Sequence, residues 1–445
     1  MDAIWLTLYG IVSVVALVQT VLLGIQTWEH RRYGRSCMAK LDAARPKGRV
    51  ALFAPCKGLD VDLEGNLRAI FEQDYPDYEV TFIVESDDDP ACDVVRRLIA
   101  EHDGVASRLV VAGKSVTSGQ KVHNLRAATA SVSDDVEYLA FIDSDARPRR
   151  EWLRMLIARF EGHRLGAVTG YRWFVPERNS LVNLLLYSLN CDVMSLLGRS
   201  SHYLVWGGSW AIRRDVFDQI GLRDAWKGTL SDDLVATQVL RRAKLPVRFE
   251  PACVVASPVN YDAAGMLSFV RRQYLVGRHY TPDWWILALF ASTFTTLSWA
   301  AQVAAWGWAL ADGPLSPWLP VAVGATLFGT YVYRGRVRQQ MVDVYFPQRG
   351  AELDAARRFD IWLNPLGVMV NWLGVFASMF GRHITWRNIR YRMGRHGKIT
   401  ALSRLGEAAI ADGDAPATAT PDLVPFPTTV ENERREEQPQ LKKAG

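Results

Sequence analysis

The apolar positions fall into three textures along the chain. From about Ala3 to Thr27 no charged side chain interrupts the run WLTLYGIVSVVALVQTVLLGIQT, and about 20 such residues cross a bilayer as one helix. A secretory signal is the competing reading. No basic stretch precedes the run, however, and no small-residue cleavage site comes after it. Arg31, Arg32, Arg35 and Lys40 come directly after, which assigns the succeeding domain to the cytoplasm by the positive-inside rule. Residues 1–30 thus read as an N-terminal transmembrane anchor.

Residues 45–280 have the texture of an α/β domain. The short apolar runs Val50–Ala54, Val80–Val84 and Tyr138–Ile142 match strands buried on both faces of a parallel sheet. Helical stretches are expected between them at Asn66–Gln73, Asp93–His102 and Lys121–Ala130. Strand alternating with helix predicts a doubly wound, Rossmann-like sheet, which binds ligands at the carboxyl ends of its strands. Leu181–Leu197 is apolar around much of a helix and fits either plain core or an interfacial helix that admits a lipid.

Residues 284–400 are apolar again. Ile286–Leu310 and Trp318–Tyr333 read as two spanning helices joined by a turn, and Ile361–Phe380 is one further apolar segment. Were that last segment to span, the basic stretch RHITWRNIRYRMGRHGK would lie outside, against the charge rule. Asn364, Pro365 and Asn371 also weaken it, so a re-entrant or interfacial segment is preferred. Residues 402–445, rich in Ala, Pro, Thr and Glu, read as a disordered tail.

Composition narrows the class. Charged residues are 22% and hydrophobic ones 49%, with 16 Trp and a net charge of +5. The basic residues cluster beside the apolar segments, which suits a membrane surface and not a nucleic acid. The five cysteines, Cys37, Cys56, Cys92, Cys191 and Cys253, are far apart and without a CxxC pair, so neither a disulfide framework nor structural zinc is expected.

Candidate chemistry lies in three acidic clusters. Glu85-Ser86-Asp87-Asp88-Asp89 follows one strand, Asp143-Ser144-Asp145 follows another, and Ser231-Asp232-Asp233 opens a helical stretch. Each alone also serves as a turn former or helix cap. Together they hold like charges in one region, which a cation or a proton-transfer role makes worthwhile. There is no GxGxxG after the first strand, no P-loop and no Ser-centred nucleophile elbow. His123 and His279 stand without partners at metal-ligand spacing and read as structural.

In order along the chain, APCKGLD, EQDYPDYEV, ESDDDPACDVV, SGQKVHNLRAA, FIDSDARP, WGGSWAIRRDVF, LSDDL and VRRQY resemble the membrane-bound, inverting family 2-type glycosyltransferases of GT-A fold. The similarity is greatest to their ceramide glucosyltransferase-like branch. That resemblance implies an α/β GT-A catalytic domain with transmembrane helices, a UDP-sugar donor, a membrane lipid acceptor such as ceramide, and Mg²⁺ or Mn²⁺. It implies that Lys57, Glu85, Asp87, Asp88, Lys121 and Asp143 bind the nucleotide sugar, with Asp87 and Asp88 at the nucleobase and ribose. Asp145, with Asp143, would hold the metal. Asp233 would be the catalytic base, beside Asp232. Arg271, Arg272 and Gln273 would grip the diphosphate or the acceptor. Here the sequence departs from the family, with Gln273 where the pattern has Arg and Tyr274 where it has Trp. Arg272 or Arg278 could take over that charge, and arginines before a membrane segment also snorkel to headgroups regardless of catalysis. The implied protein is an integral membrane enzyme with a cytoplasmic catalytic domain, at the inner membrane in a bacterium. A processive polysaccharide synthase and a non-catalytic sugar-nucleotide-binding protein are the alternatives.

Overall fold

A computed structural model describes residues 2–161, 164–311, 316–405 and 424–425. Its centre is a seven-stranded sheet: β1 (Arg49–Pro55), β2 (Tyr78–Val84), β3 (Ala106–Val111), β4 (Val136–Ile142), β5 (Ala167–Pro176), β6 (Ser209–Arg213) and β7 (Val247–Val259). The spatial order is β3-β2-β1-β4-β6-β5-β7. Only β6 runs against the rest, antiparallel to both β4 and β5. Alternate residues of β1 face two separate cores. Leu52 joins Leu67, Phe82 and Trp152 on one side, while Phe53 joins Phe141, Trp210 and Trp226 on the other. Burial on both faces is why these strands read as unbroken apolar runs.

Seven helices frame the site and the membrane region: α1 (Asp2–Met38), α2 (Leu181–Met194), α3 (Asp232–Arg242), α4 (Ala263–Tyr280), α5 (Pro282–Leu310), α6 (Trp318–Gln339) and α7 (Asp354–Ala377). Among the described residues, two stretches are long and apolar enough to cross a bilayer, Ala3–Ala43 and Pro282–Leu310. Helix α6 does not stop at Tyr333. It continues because Arg334 and Arg338 are buried in ion pairs with α2 and α7. Arg338 clamps Asp360 through Nε and Nη2, both at 2.6 Å, and reaches Asp192 at 2.7 Å. Ser188 and Asn364 bond into the same group, and Tyr187 donates to Gln339. A bidentate pair with its remaining lone pairs occupied is the arrangement in which a buried ion pair holds.

Most of the apolar stretch Ile361–Phe380 belongs to α7, which ends at Ala377 and is kinked at Leu363, where the backbone leaves helical geometry two residues before Pro365. Both ends of α7 touch the catalytic domain. Ala356 packs in a cluster with Phe249 and Val254, and the carbonyls at and after Ala377 accept from Arg271 and Arg278 on α4. The helix therefore lies along the domain.

The basic stretch after it supplies β8 (His383–Trp386) and β9 (Ile389–Met393) of a small antiparallel sheet that β10 (Ile399–Arg404) and β11 (Val424–Pro425) complete. The sheet docks on the catalytic domain. Tyr391 accepts from the Gln120 amide at 3.2 Å, and Arg404 bonds Glu85 at 3.0 Å and Gln120 at 2.7 Å. Strand β10 thus takes in Leu402–Arg404, where the composition of the chain suggests that the tail begins. Apart from 424–425, the tail beyond Leu405 lies outside the described residues.

Candidate active site

At the carboxyl ends of β1 and β4 the sheet opens into a cavity of about 790 Å³. Lys57 follows β1, Asp143 and Asp145 follow β4, and Asp232 and Asp233 open α3, whose N-cap is Ser231. All five line the cavity together with Lys121, Arg272 and Gln273. Two chain segments distant in sequence thus bring four carboxylates to one place, and a third adds Lys57.

Gly207 and Gly208 make this convergence possible. A Cβ on Gly207 would lie 2.8 Å from Lys121 Nζ and 3.0 Å from Asp232 Oδ2, and one on Gly208 would run into the Trp206 ring. The segment can pass between the carboxylates only without side chains. From there the Gly207 N–H donates to Asp233 Oδ2 at 2.9 Å, while the Leu234 N–H donates to Oδ1 at 2.7 Å. Two backbone donors hold the Asp233 carboxylate in a fixed orientation.

Lys121 bridges the other acidic pair, 2.7 Å from Asp143 and 3.2 Å from Asp232. Asp232 is buried and its Oδ2 has no hydrogen-bond partner among the described residues. Burial pushes its proton affinity up to about 7, against the pull of Lys121 and with the help of Asp233 and Asp143. Asp145 is raised to about 6, first by burial and then by Asp143 and Asp60, with Arg172 and Arg387 opposing. Its carboxylate makes no hydrogen bond or ion pair among the described residues, unlike Asp143. Carboxylate oxygens such as those of Asp145 are the donors that Mg²⁺ and Mn²⁺ take, but among the described residues no group of three or more His, Cys, Asp or Glu side chains is arranged to hold a metal ion.

The remaining residues expected from sequence divide. Burial alone would raise Glu85, but hydrogen bonds from Lys57 and Arg404 hold it below the usual range, and it braces Lys57 from behind. Asp87 and Asp88 do not line the cavity. Both are exposed, Asp87 pairs with Arg96, and Asp88 bonds Ser86. Arg271 also points away, donating to the carbonyls of Ala377 and Phe380. Arg278 caps the same helix end through Ser378 and Gly381. Only Arg272 of these arginines faces the cavity, stacked over Phe269 and Trp386. Burial lowers its affinity for the proton to about 10. His123 bonds the Ala112 carbonyl.

Three cavity residues went unassigned on sequence grounds: Asp60, Arg172 and Arg387. Asp60 lies in the KGLD motif and accepts from Ser144 at 2.6 Å. Arg172 crosses the faces of Phe174 and Trp206. Arg387 sits in the basic stretch, where its charge reads as a question of membrane topology and gives no sign of a site. Part of the cavity wall is apolar, with Leu189, Val193 and Leu196 from α2 or just after it, Phe269 from α4 and Trp284 and Trp285 from α5. One face of α2 packs into the core while another borders this wall.

A mostly parallel sheet with one reversed strand, and carboxylates gathered at its carboxyl ends beside an apolar wall, is the architecture of a GT-A glycosyltransferase. The sequence model of Glycosyl transferase family 21 matches residues 11–399, and the chain belongs to that family. Among curated relatives it is similar to Ceramide glucosyltransferase 3 of Caenorhabditis elegans, with 30% identity over 28% of this chain and 27% of that one. It is also similar to the ceramide glucosyltransferase of Gibberella zeae, with 28% identity over 34% of this chain and 30% of that one. The matched stretches span less than a third of either relative. Among solved structures it resembles the mannosyltransferase PcManGT from Pyrobaculum calidifontis in complex with GDP-Man and Mn²⁺. That match has 19% identity and a TM-score of 0.47, over 80% of this chain and 99% of the other.

Proposed function

We propose that this glycosyltransferase moves one glucose from UDP-glucose to the hydroxyl of a ceramide-type lipid, with inversion at the anomeric carbon. The observation that carries the reading is the composition of the cavity. Carboxylates and cations at the strand ends share its lining with apolar side chains of α2, α4 and α5, and Phe269 of α4 lies under both Arg172 and Arg272. A sugar nucleotide suits the charged groups and a lipid suits the apolar ones. Helix α5 is itself long and apolar enough to span a bilayer, so an acceptor could enter sideways from the membrane. Arg31, Arg32 and Arg35 after the anchor support a cytoplasmic catalytic domain. Glucose and ceramide are favoured by the names of the relatives.

In this reading Asp233 is the base. Its two backbone donors keep the carboxylate aimed while it takes the proton from the lipid hydroxyl. The hydroxyl oxygen bonds to the anomeric carbon as the bond from that carbon to the diphosphate oxygen breaks, and the electron pair leaves with UDP. Lys57, Lys121 and Arg272 supply positive charge around the departing diphosphate. A divalent cation at Asp145 and Asp143 would supply further neutralisation when bound.

A turnover assay of the detergent-purified protein tests this, with a panel of UDP-sugars, Mg²⁺ or Mn²⁺, and ceramide, diacylglycerol or a lipid extract as acceptor. A glucosylated lipid formed from ceramide is the expected product. A long polymer would identify a processive synthase, and nucleotide binding without any product would contradict the enzymatic reading.

A further inference from the structure

Among the cavity's cations, Arg387 is delivered in an unusual way. It is the first of two residues joining β8 to β9, and Arg387 and Asn388 both have positive φ, 52° and 60°. Such a hairpin favours Asn or Gly at its centre, because a left-handed backbone crowds a Cβ. Asn388 satisfies that preference and Arg387 does not. Strain of this kind persists where the surrounding structure holds it, and it gathers at functional sites.

The surroundings do hold it. The Arg387 guanidinium donates to the Lys57 carbonyl at 2.9 Å and pairs with Asp60. The small sheet that carries it is fastened through Tyr391 to Gln120 and through Arg404 to Glu85. Tyr280 is bonded to Gly397. Trp386, the residue before the turn, lies under the Arg272 guanidinium, 5.3 Å from ring centre to Cζ. The hairpin therefore meets the strand-end loop that carries Lys57 and Asp60 on one side and α4 on the other. Meanwhile Arg271 and Arg278 are committed to capping α7, so α4 brings one arginine, Arg272, to the cavity.

We infer that Arg387 is a catalytic residue of this enzyme, contacting the diphosphate of the sugar nucleotide and stabilising the charge that develops as it leaves. The β8–β9 hairpin is the device that carries it there. Asp60 and the Lys57 carbonyl hold the guanidinium at the cavity edge, beside Asp145 and Arg272. A planar guanidinium offers a phosphate two parallel donors and suits this role better than a lysine would. The inference rests on the proposed sugar-nucleotide reading of the cavity.

The test compares binding of UDP and UMP to the full-length protein in detergent by calorimetry, with Mn²⁺ and again with chelator. A charge-assisted contact to phosphate is worth about 1.5–3 kcal/mol, or roughly 10- to 100-fold in affinity. Arg387→Gln should weaken UDP by that factor and UMP by much less, with or without the ion, and Arg387→Lys should recover part of the loss. Asn388→Gly, which relaxes the turn and removes nothing from the cavity, should leave both affinities unchanged and report that the hairpin is folded. Equal losses for UDP and UMP in Arg387→Gln would assign Arg387 to pinning the hairpin and overturn the inference. No loss for either would overturn it too. A wild-type protein that binds neither nucleotide would refute the sugar-nucleotide reading itself, whereas normal wild-type binding with an unaffected Arg387→Gln refutes only the role of Arg387.

Discussion

Two clusters of inward-facing charge stand in this molecule, and they are built on opposite principles. At the junction of α2, α6 and α7, Arg338 meets Asp360 with two hydrogen bonds and Asp192 with a third, and Ser188, Gln339 and Asn364 fill most of the remaining positions. At the strand ends four carboxylates converge, and Lys121 pairs with two of them, Asp143 and Asp232. Asp232 Oδ2 and the Asp145 carboxylate lack hydrogen bonds among the described residues. The first cluster joins helices. The second leaves carboxylates buried beside one another, and burial first, with the neighbouring carboxylates after it, makes Asp145 and Asp232 hold protons more tightly than usual. Buried charge alone therefore does not mark a site; unsatisfied charge at a cavity does.

The contrast can be broken from either side. Asp360→Ala leaves Arg338 buried and uncompensated and should cost about 3–5 kcal/mol of stability, read as a large fall in the melting temperature in detergent. Asp145→Asn should do the reverse. Relieving repulsion with Asp143 and Asp60, it should leave the melting temperature unchanged or higher while transfer falls sharply. Smaller, but still aimed at the chemistry, is Gly207→Ala. The added methyl has to displace Lys121 or Asp232, and a misplacement of about 1 Å in a catalytic group lowers turnover on the order of 100-fold. The adjacent arginines sharpen the comparison further. Arg271→Ala should lose about 1 kcal/mol of stability per capping bond and keep its activity per folded molecule, whereas Arg272→Ala should lose activity even per folded molecule. The smallest effect is that of Asn388→Gly, where a left-handed position at φ 60° accepts glycine and the change in stability stays within about 1 kcal/mol.

Much of the frame was legible because local pattern determined it. β1, β2 and β4 are buried on both faces, so their apolar runs stood out, and the acidic residues directly after Val84 and Ile142 followed from the strand ends. The rest depends on contacts across the chain. Arg271 and Arg272 are neighbours in sequence, but successive residues on a helix point about 100° apart. One caps α7 and the other faces the cavity. Asp87 and Asp88 belong to the same acidic run as Glu85, but only Glu85 reaches the inner lysine. The basic stretch after α7 posed a conflict with the charge rule as long as it was counted linearly. Within it Arg387 pairs with Asp60, and beyond it Arg404 pairs with Glu85, partners roughly 300 positions earlier, and no local period announces such a partnership.

The most direct test of the proposed chemistry is Asp233→Asn, assayed for transfer of glucose to ceramide alongside UDP binding and thermal unfolding. The isosteric amide keeps the shape of the loop and removes the base, which contributes on the order of 10²–10⁴-fold to such a step. A base at this position requires a loss of that size in turnover, with UDP affinity and melting temperature close to wild type. Retained turnover in a folded variant would contradict it, and the base would then have to be sought elsewhere in the cavity.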